Sequence, residues 1–194
     1  MMHTIFSIAL YHISRYNQSQ TMNNINPKDN PIQYRKIIRD CIVYEINKMI
    51  DNDEDEHTNI VLDLFSEYAQ HSLIIYCRRL RASVYRSLKD RFKQLIDRGV
   101  TLRVVTESPY SELQAQETAE ELVQAKAWRH CGKQQSVPHF AIADGKRVRI
   151  EIDRDQSKAI VFPSIGPTLQ NTVRSMETFF EALWNESSDD TAAI

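Results

Sequence analysis

Residues 72–106 most constrain what this chain can become. "SLIIYC" (72–77) is a short apolar run rich in strand formers. In "ASVYRSLKDRFKQLIDRG", Val84, Leu88, Phe92, Leu95 and Ile96 recur at helical spacing, and Gly99 supplies a C-terminal stop. "VTLRVVT" (100–106) is a second strand. Strand, helix, strand within so short a span predicts a parallel pair joined by a right-handed crossover. Helical patterns flank this unit in the chain.

The sequence supplies them on both sides of this unit. Residues 33–50 carry Ile37, Ile38, Cys41, Ile42, Tyr44, Ile46 and Ile50, which predicts a helix with a broad apolar face. The acidic run "DNDEDEHTN" (51–59) reads as a solvated linker, and "IVLDLFSEYAQ" (60–70) as a second helix. Residues 111–127 predict a helix capped by Ser111, and "WRHCGKQQS" (128–136) a loop. "HFAIA" and "RVRIEID" read as strands around an Asp144-Gly145 hairpin turn. "KAIVF" (158–162) is one more strand, and a helix covers about 167–186.

The chain has 194 residues, 42% hydrophobic and 26% charged, within reach of one domain. Residues 1–32 are expected to be a poorly ordered leader, 33–187 one domain, and 188–194 a disordered tail. The apolar run Ile5–Tyr11 is too short to span a bilayer and lacks the flanks of a signal peptide, so no membrane partner is expected. Met22 is an alternative start. Three cysteines, none paired at ligand spacing, read as reduced thiols in a cytoplasmic protein. Four glycines form no phosphate loop, which excludes dinucleotide and P-loop chemistry; no cofactor is expected. Net charge of −2 exerts no global pull on nucleic acid.

Two stretches resemble the phospholipase D-like superfamily. One is "LIIYCRRLRASVYRSLKDRFKQLIDRGVTLRVVTES". The other is "VPHFAIADGKRVRIE" with the downstream "KAIVF" and a closing helix ending "FFEALWNES". Together they cover roughly 66–187. The resemblance implies an α/β fold: a mixed sheet flanked by helices, a phospholipase D-like half-domain with a helical N-terminal extension. In active members, as the resemblance implies, a histidine attacks phosphorus and a lysine two residues on holds the phosphate oxygens. An aspartate closes the motif, and two copies meet within a chain or across a dimer. Such chemistry needs a nucleophile and fixed cationic charge on the phosphoryl group.

This sequence departs from that motif. Counting from His139, Ala141 takes the lysine position and Lys146 the aspartate position. If Asp144 is aligned with the aspartate instead, His139 falls on the lysine position and Ser136 or Val137 on the histidine position. Neither register completes the set, and "RIEIDRDQSKAIVFPS" replaces the serine and asparagine that follow in active members.

The expected function is therefore a non-catalytic binding or regulatory module, of the kind that bacterial accessory or sensor proteins build on this fold. The alternative is a divergent homodimeric phosphodiesterase or nuclease with His139 as its catalytic residue. Arg78, Arg79 and Glu107 follow strand ends where pockets form, and Arg149 and Glu151 lie on the return strand. These five are the candidate ligand-binding residues. For each the plainer reading is structural: a helix-entry cluster for Arg78 and Arg79, and a half-exposed polar strand face for Arg147, Arg149 and Glu151. His139 itself reads most simply as a strand-edge histidine bonded to backbone. A third reading is weak nucleic-acid binding by the basic helix 82–98, although Asp90 and Asp97 dilute its charge. Expected partners are a second copy, or a protein reached through the N-terminal helices. Cys131, His130 and His139 fit no closed zinc set, so no metal is expected. No GxSxG elbow supports a serine triad.

Overall fold

The computed structural model describes residues 29–46, 48–51, 55–107, 122, 124–132, 137–153, 158–163 and 166–187. In chain order the elements are α1 (Pro31–Val43), β1 (Lys48–Asp51), α2 (Asp55–Tyr68), β2 (Ser72–Cys77), α3 (Ala82–Asp97) and β3 (Thr101–Thr106). There follow β4 (Trp128–His130), β5 (Phe140–Ala143), β6 (Arg147–Asp153), β7 (Lys158–Pro163) and α4 (Pro167–Glu186).

The strands form one sheet in the order β1-β7-β6-β5-β2-β3-β4. The pairs β2–β3 and β3–β4 are parallel, and every other pair is antiparallel. The expected βαβ unit is present, with β2 and β3 side by side in register from Ser72 opposite Thr101 to Cys77 opposite Thr106. Gly99 closes α3 with φ of +77°, a conformation that a Cβ would strain. Alternation along the strands divides the core in two. Leu73, Ile75, Leu102, Val104, Ala141, Ala143, Ala159 and Val161 point to the face covered by α1, α2 and α3. Ile74, Tyr76, Val105, Ile142, Val148, Ile150 and Ile160 point to the face covered by α4 through Val173, Met176, Phe180 and Leu183. The result is a three-layer α/β fold, as the resemblance implies.

Three sequence expectations need correction. The helix expected over 33–50 ends at Val43, because Glu45 turns into left-handed backbone (φ 57°). Lys48–Asp51 then forms the edge strand β1 against β7. A four-residue edge strand has no long apolar pattern to announce it. The run 51–59 is not all linker, since Asp55–Asn59 already belong to α2. Trp128–His130, read as loop, is β4, parallel to β3. The helix expected over 111–127 lies mostly outside the described residues, of which Leu122 and Gln124 are helical. The leader and tail also lie outside them, apart from Asp29–Ile32.

The Asp144 side chain adds to the β2–β5 pairing in anchoring the hairpin to the parallel unit. Asp144 (φ 55°) and Gly145 (φ 63°) form the turn, and Lys146 N–H donates to the Ala143 carbonyl at 3.0 Å. The Asp144 carboxylate accepts backbone N–H bonds from Gln70 (3.0 Å), His71 (2.7 Å) and Ser72 (3.0 Å), and pairs with Arg147 at 3.2 Å. Burial works against ionisation of this carboxyl, but the three N–H groups and Arg147 outweigh it and hold its pKa below the ordinary value. Asp144 therefore ties the β5–β6 turn to the α2–β2 junction.

Candidate functional site

The strand ends meet as the topology requires. β2 and β3 are parallel, β5 runs against β2, and β6 runs against β5. The C-terminal ends of β2 and β3, the entry to β5 and the later half of β6 therefore share one end of the sheet. His139, Glu107, Arg149 and Glu151 all come from this end.

On the expected half-exposed polar face of β6, Arg147 and Glu151 are partly exposed and Arg149 is buried. In the strand register Arg149 sits between Ala141 on β5 and Val161 on β7, so its side chain enters the face covered by α1–α3. Small residues at Ala141, Ala143 and Ala159 leave width there for a guanidinium. Arg149 is 8% exposed. Burial pulls its pKa down, and the negative charge of Glu151 opposes that pull. A guanidinium stays cationic even so.

Two side chains that sequence reading passed over complete the interior. Arg149 Nε donates to His57 Nε2 at 3.3 Å. The other ring nitrogen, Nδ1, hydrogen-bonds the Tyr34 hydroxyl. Since Nε2 accepts, the neutral ring carries its proton on Nδ1 and donates it to the Tyr34 oxygen. Burial, followed by the charge of Arg149, holds the His57 pKa well below its ordinary value, so the ring is neutral. Tyr34 lies on α1, His57 in the first turn of α2 and Arg149 on β6, all three buried. His57 was hidden in the sequence by its acidic neighbours, and Tyr34 by its fit to an ordinary apolar stripe.

The rim is made by His139 and Glu151. His139 Nδ1 lies 2.7 Å from Glu151 Oε2, with side chains 15% and 16% exposed. Glu151 N–H also donates to the His139 carbonyl at 2.9 Å. The His139 ring meets Tyr76 edge-on, with centroids 5.8 Å apart. The Tyr76 hydroxyl donates to Glu107 Oε1 at 2.5 Å, and Glu107 is buried. The Cys77 thiol feels Arg149, Glu107 and Glu151 together; burial dominates and pushes its pKa up to about 12. A thiol so held stays protonated and unreactive near neutrality.

Arg78 and Arg79 are exposed in the turn after β2, and the Arg78 carbonyl accepts the Glu107 N–H at 3.1 Å. The structure thus gathers His139, Glu107, Arg149 and Glu151 at one end of the sheet and leaves the two arginine side chains in solvent beside it. Among the described residues no group of three or more His, Cys, Asp or Glu side chains is placed to hold a metal ion. No described helix is long and apolar enough to cross a membrane.

The basic helix is partly neutralised. Within it Arg91 pairs with Asp63 at 2.7 Å; just past its end Arg98 donates to the Ser66 carbonyl at 2.8 Å, and on β3 Arg103 pairs with Glu181 at 2.5 Å. Arg103 also lies over the Phe180 and Trp184 rings, and Arg129 over Trp184 at 4.5 Å. These cations fasten α4 to the β3–β4 edge. Arg78, Arg79, Lys89 and Lys93 remain exposed.

Solved structures with a similar fold include TrmBL2, an archaeal chromatin protein described as showing a novel mode of DNA binding. The TM-score is 0.55 at 12% identity, covering 84% of this chain and 62% of that one. The present chain thus spans less than two thirds of that protein. NucT from Helicobacter pylori gives a TM-score of 0.51 at 11% identity, over 73% of this chain and 97% of that one. Phosphatidylserine synthase from Haemophilus influenzae gives 0.46 at 10% identity, over 73% and 39%. The sequence matches no family profile and no curated protein. The likeness is one of fold alone: a mixed α/β sheet flanked by helices.

Proposed function

We propose that this chain is a non-catalytic regulatory or binding module on a phospholipase D-like half-domain. The observation that carries the reading is the charge balance at the sheet end. Phosphoryl transfer needs fixed positive charge where the anionic oxygens develop. Here the Glu151 carboxylate acts on the buried guanidinium of Arg149, and the charges of Arg149, Glu107 and Glu151 all act on the Cys77 thiol. A phosphodiester entering this end would meet the Glu151 carboxylate at the rim, with Glu107 buried behind it and Arg78 and Arg79 in solvent to one side. His139, on the lysine position of the second register, is engaged by Glu151. Support for a protein partner comes from α1 and the turn after it, where Ile32, Val43, Tyr44 and Ile46 are the exposed large hydrophobics among the described residues.

One observation favours a second reading. A histidine held by a carboxylate through Nδ1 is also how a nucleophile or general base is oriented, so His139 and Glu151 suit a divergent phosphodiesterase, acting alone or as a homodimer. The discriminating experiment is hydrolysis of bis(p-nitrophenyl) phosphate and of DNA by wild type beside His139→Ala. Equal, background-level rates are expected. A wild-type rate well above background that His139→Ala abolishes overturns the non-catalytic reading. Weak nucleic-acid contact through Arg78, Arg79, Lys89 and Lys93 is tested separately. It requires affinity to fall steeply with salt, and a flat dependence removes it.

A further inference from the structure

The buried polar chain is the least expected feature of the fold. Tyr34, His57 and Arg149 come from α1, α2 and β6, and each is at most 8% exposed. Apolar side chains would fill the same space without a desolvation cost. The chain instead runs from the first helix to the sheet end, where Glu151 reaches the rim beside His139.

We propose that Tyr34–His57–Arg149 couples the charge of Glu151 at the sheet end to the docking of α1. This deepens the regulatory reading of the same site and rests on it. The geometry sets the direction of the coupling. Arg149 and Glu151 are two residues apart on one strand and so project to the same face. Glu151 is the leading charge that favours the buried guanidinium against its desolvation. When Glu151 loses its charge, by protonation or by a cationic ligand group drawing the carboxylate outward, Arg149 is left buried without its main counter-charge. Its gain from moving toward solvent then competes with the 3.3 Å bond to His57.

Once Arg149 leaves, His57 Nε2 has lost its donor at a side chain that is fully buried. The ring is then no longer held at Nε2, and its bond to the Tyr34 hydroxyl loses that support. Tyr34 is one of four residues of α1, with Ile38, Cys41 and Ile42, that dock this helix on the core. Arg35 of α1 also pairs with Asp63 at 2.5 Å and Glu67 at 3.1 Å on α2. Arg35 is 39% exposed and worth little on its own. Helix α1 thus joins the buried chain through Tyr34, one of its four buried side chains.

The test is amide hydrogen exchange on the full chain. In Glu151→Gln, the α1 amides from Tyr34 to Ile42 are expected to exchange roughly fivefold faster or more, with β2 and β3 amides changed by less than about twofold. In a Tyr34→Phe background, Glu151→Gln is expected to add little at α1, because the link is already cut. Unchanged α1 exchange in Glu151→Gln overturns the proposal, as does equal acceleration across α1, β2 and β3, or a full Glu151→Gln effect persisting in Tyr34→Phe. The diester assay fails or holds independently. Unchanged exchange with background hydrolysis removes the coupling alone, whereas hydrolysis that depends on His139 removes the regulatory reading beneath it.

Discussion

Asp144→Ala is expected to lower unfolding free energy by about 3 kcal/mol at neutral pH, read as an earlier urea midpoint. Hydrogen bonds to a charged group contribute on the order of 1.5–3 kcal/mol each and do not simply add. Three backbone N–H groups and Arg147 share this carboxylate, whose side chain is 6% exposed. The Gln70 and His71 donors are exposed and recover water, which keeps the loss below the sum. Alanine also fits the left-handed backbone at this position poorly, with φ of 55°. Asp144→Asn, which tolerates that backbone and keeps one acceptor oxygen, is expected to lose about half as much. The pH dependence has a definite sign. The folded-state pKa of Asp144 is depressed, so its contribution is fully present above the ordinary carboxyl value and disappears as pH falls through the folded value. The stability gap between wild type and Asp144→Asn therefore narrows below about pH 4. A gap that stays constant to pH 2 contradicts this account of the carboxylate.

The second large effect is at Arg149. Arg149→Met is expected to destabilise by about 3–5 kcal/mol, because removing one partner from a buried ionic cluster strands the others. Glu151 loses the guanidinium whose burial its charge offsets, and His57 Nε2 loses its donor. Neutralising the stranded charge should restore part of the loss. The double variant Arg149→Met, Glu151→Gln is expected to be more stable than the sum of the single changes by about 1–3 kcal/mol. Strict additivity in urea melts means that Arg149 and Glu151 do not interact. Arg149→Lys keeps the charge but not the Nε donor that reaches His57, and is expected to fall between wild type and Arg149→Met.

The βαβ unit, the Asp-Gly hairpin and the closing helix were readable because each follows a period or a turn signal. Gly99 and Gly145 punctuate where the backbone requires positive φ. The edge strands β1 and β4 were not, because four and three residues are too few to show alternation. The site divided in the same way. His139, Glu107, Arg149 and Glu151 could be gathered from their places at strand ends. The pairing of Arg149 with His57 could not, because it joins residues 92 positions apart through a layer contact that no periodicity encodes. The alternation of Arg147, Arg149 and Glu151 with apolar residues was read correctly as one polar face. Which layer that face meets depends on the small residues Ala141, Ala143 and Ala159 of neighbouring strands, and pairing order decides this.

The most direct test of the central claim is whether His139 ever forms a bond to phosphorus. Attack on a diester such as bis(p-nitrophenyl) phosphate would form a phosphorus–nitrogen bond at the imidazole and expel nitrophenolate. The charge arrangement around Arg149, Glu107 and Glu151 predicts that the protein's intact mass stays unchanged after incubation with the diester and a basic quench. A phosphorylated species that maps to His139, and is absent from His139→Ala, would contradict it.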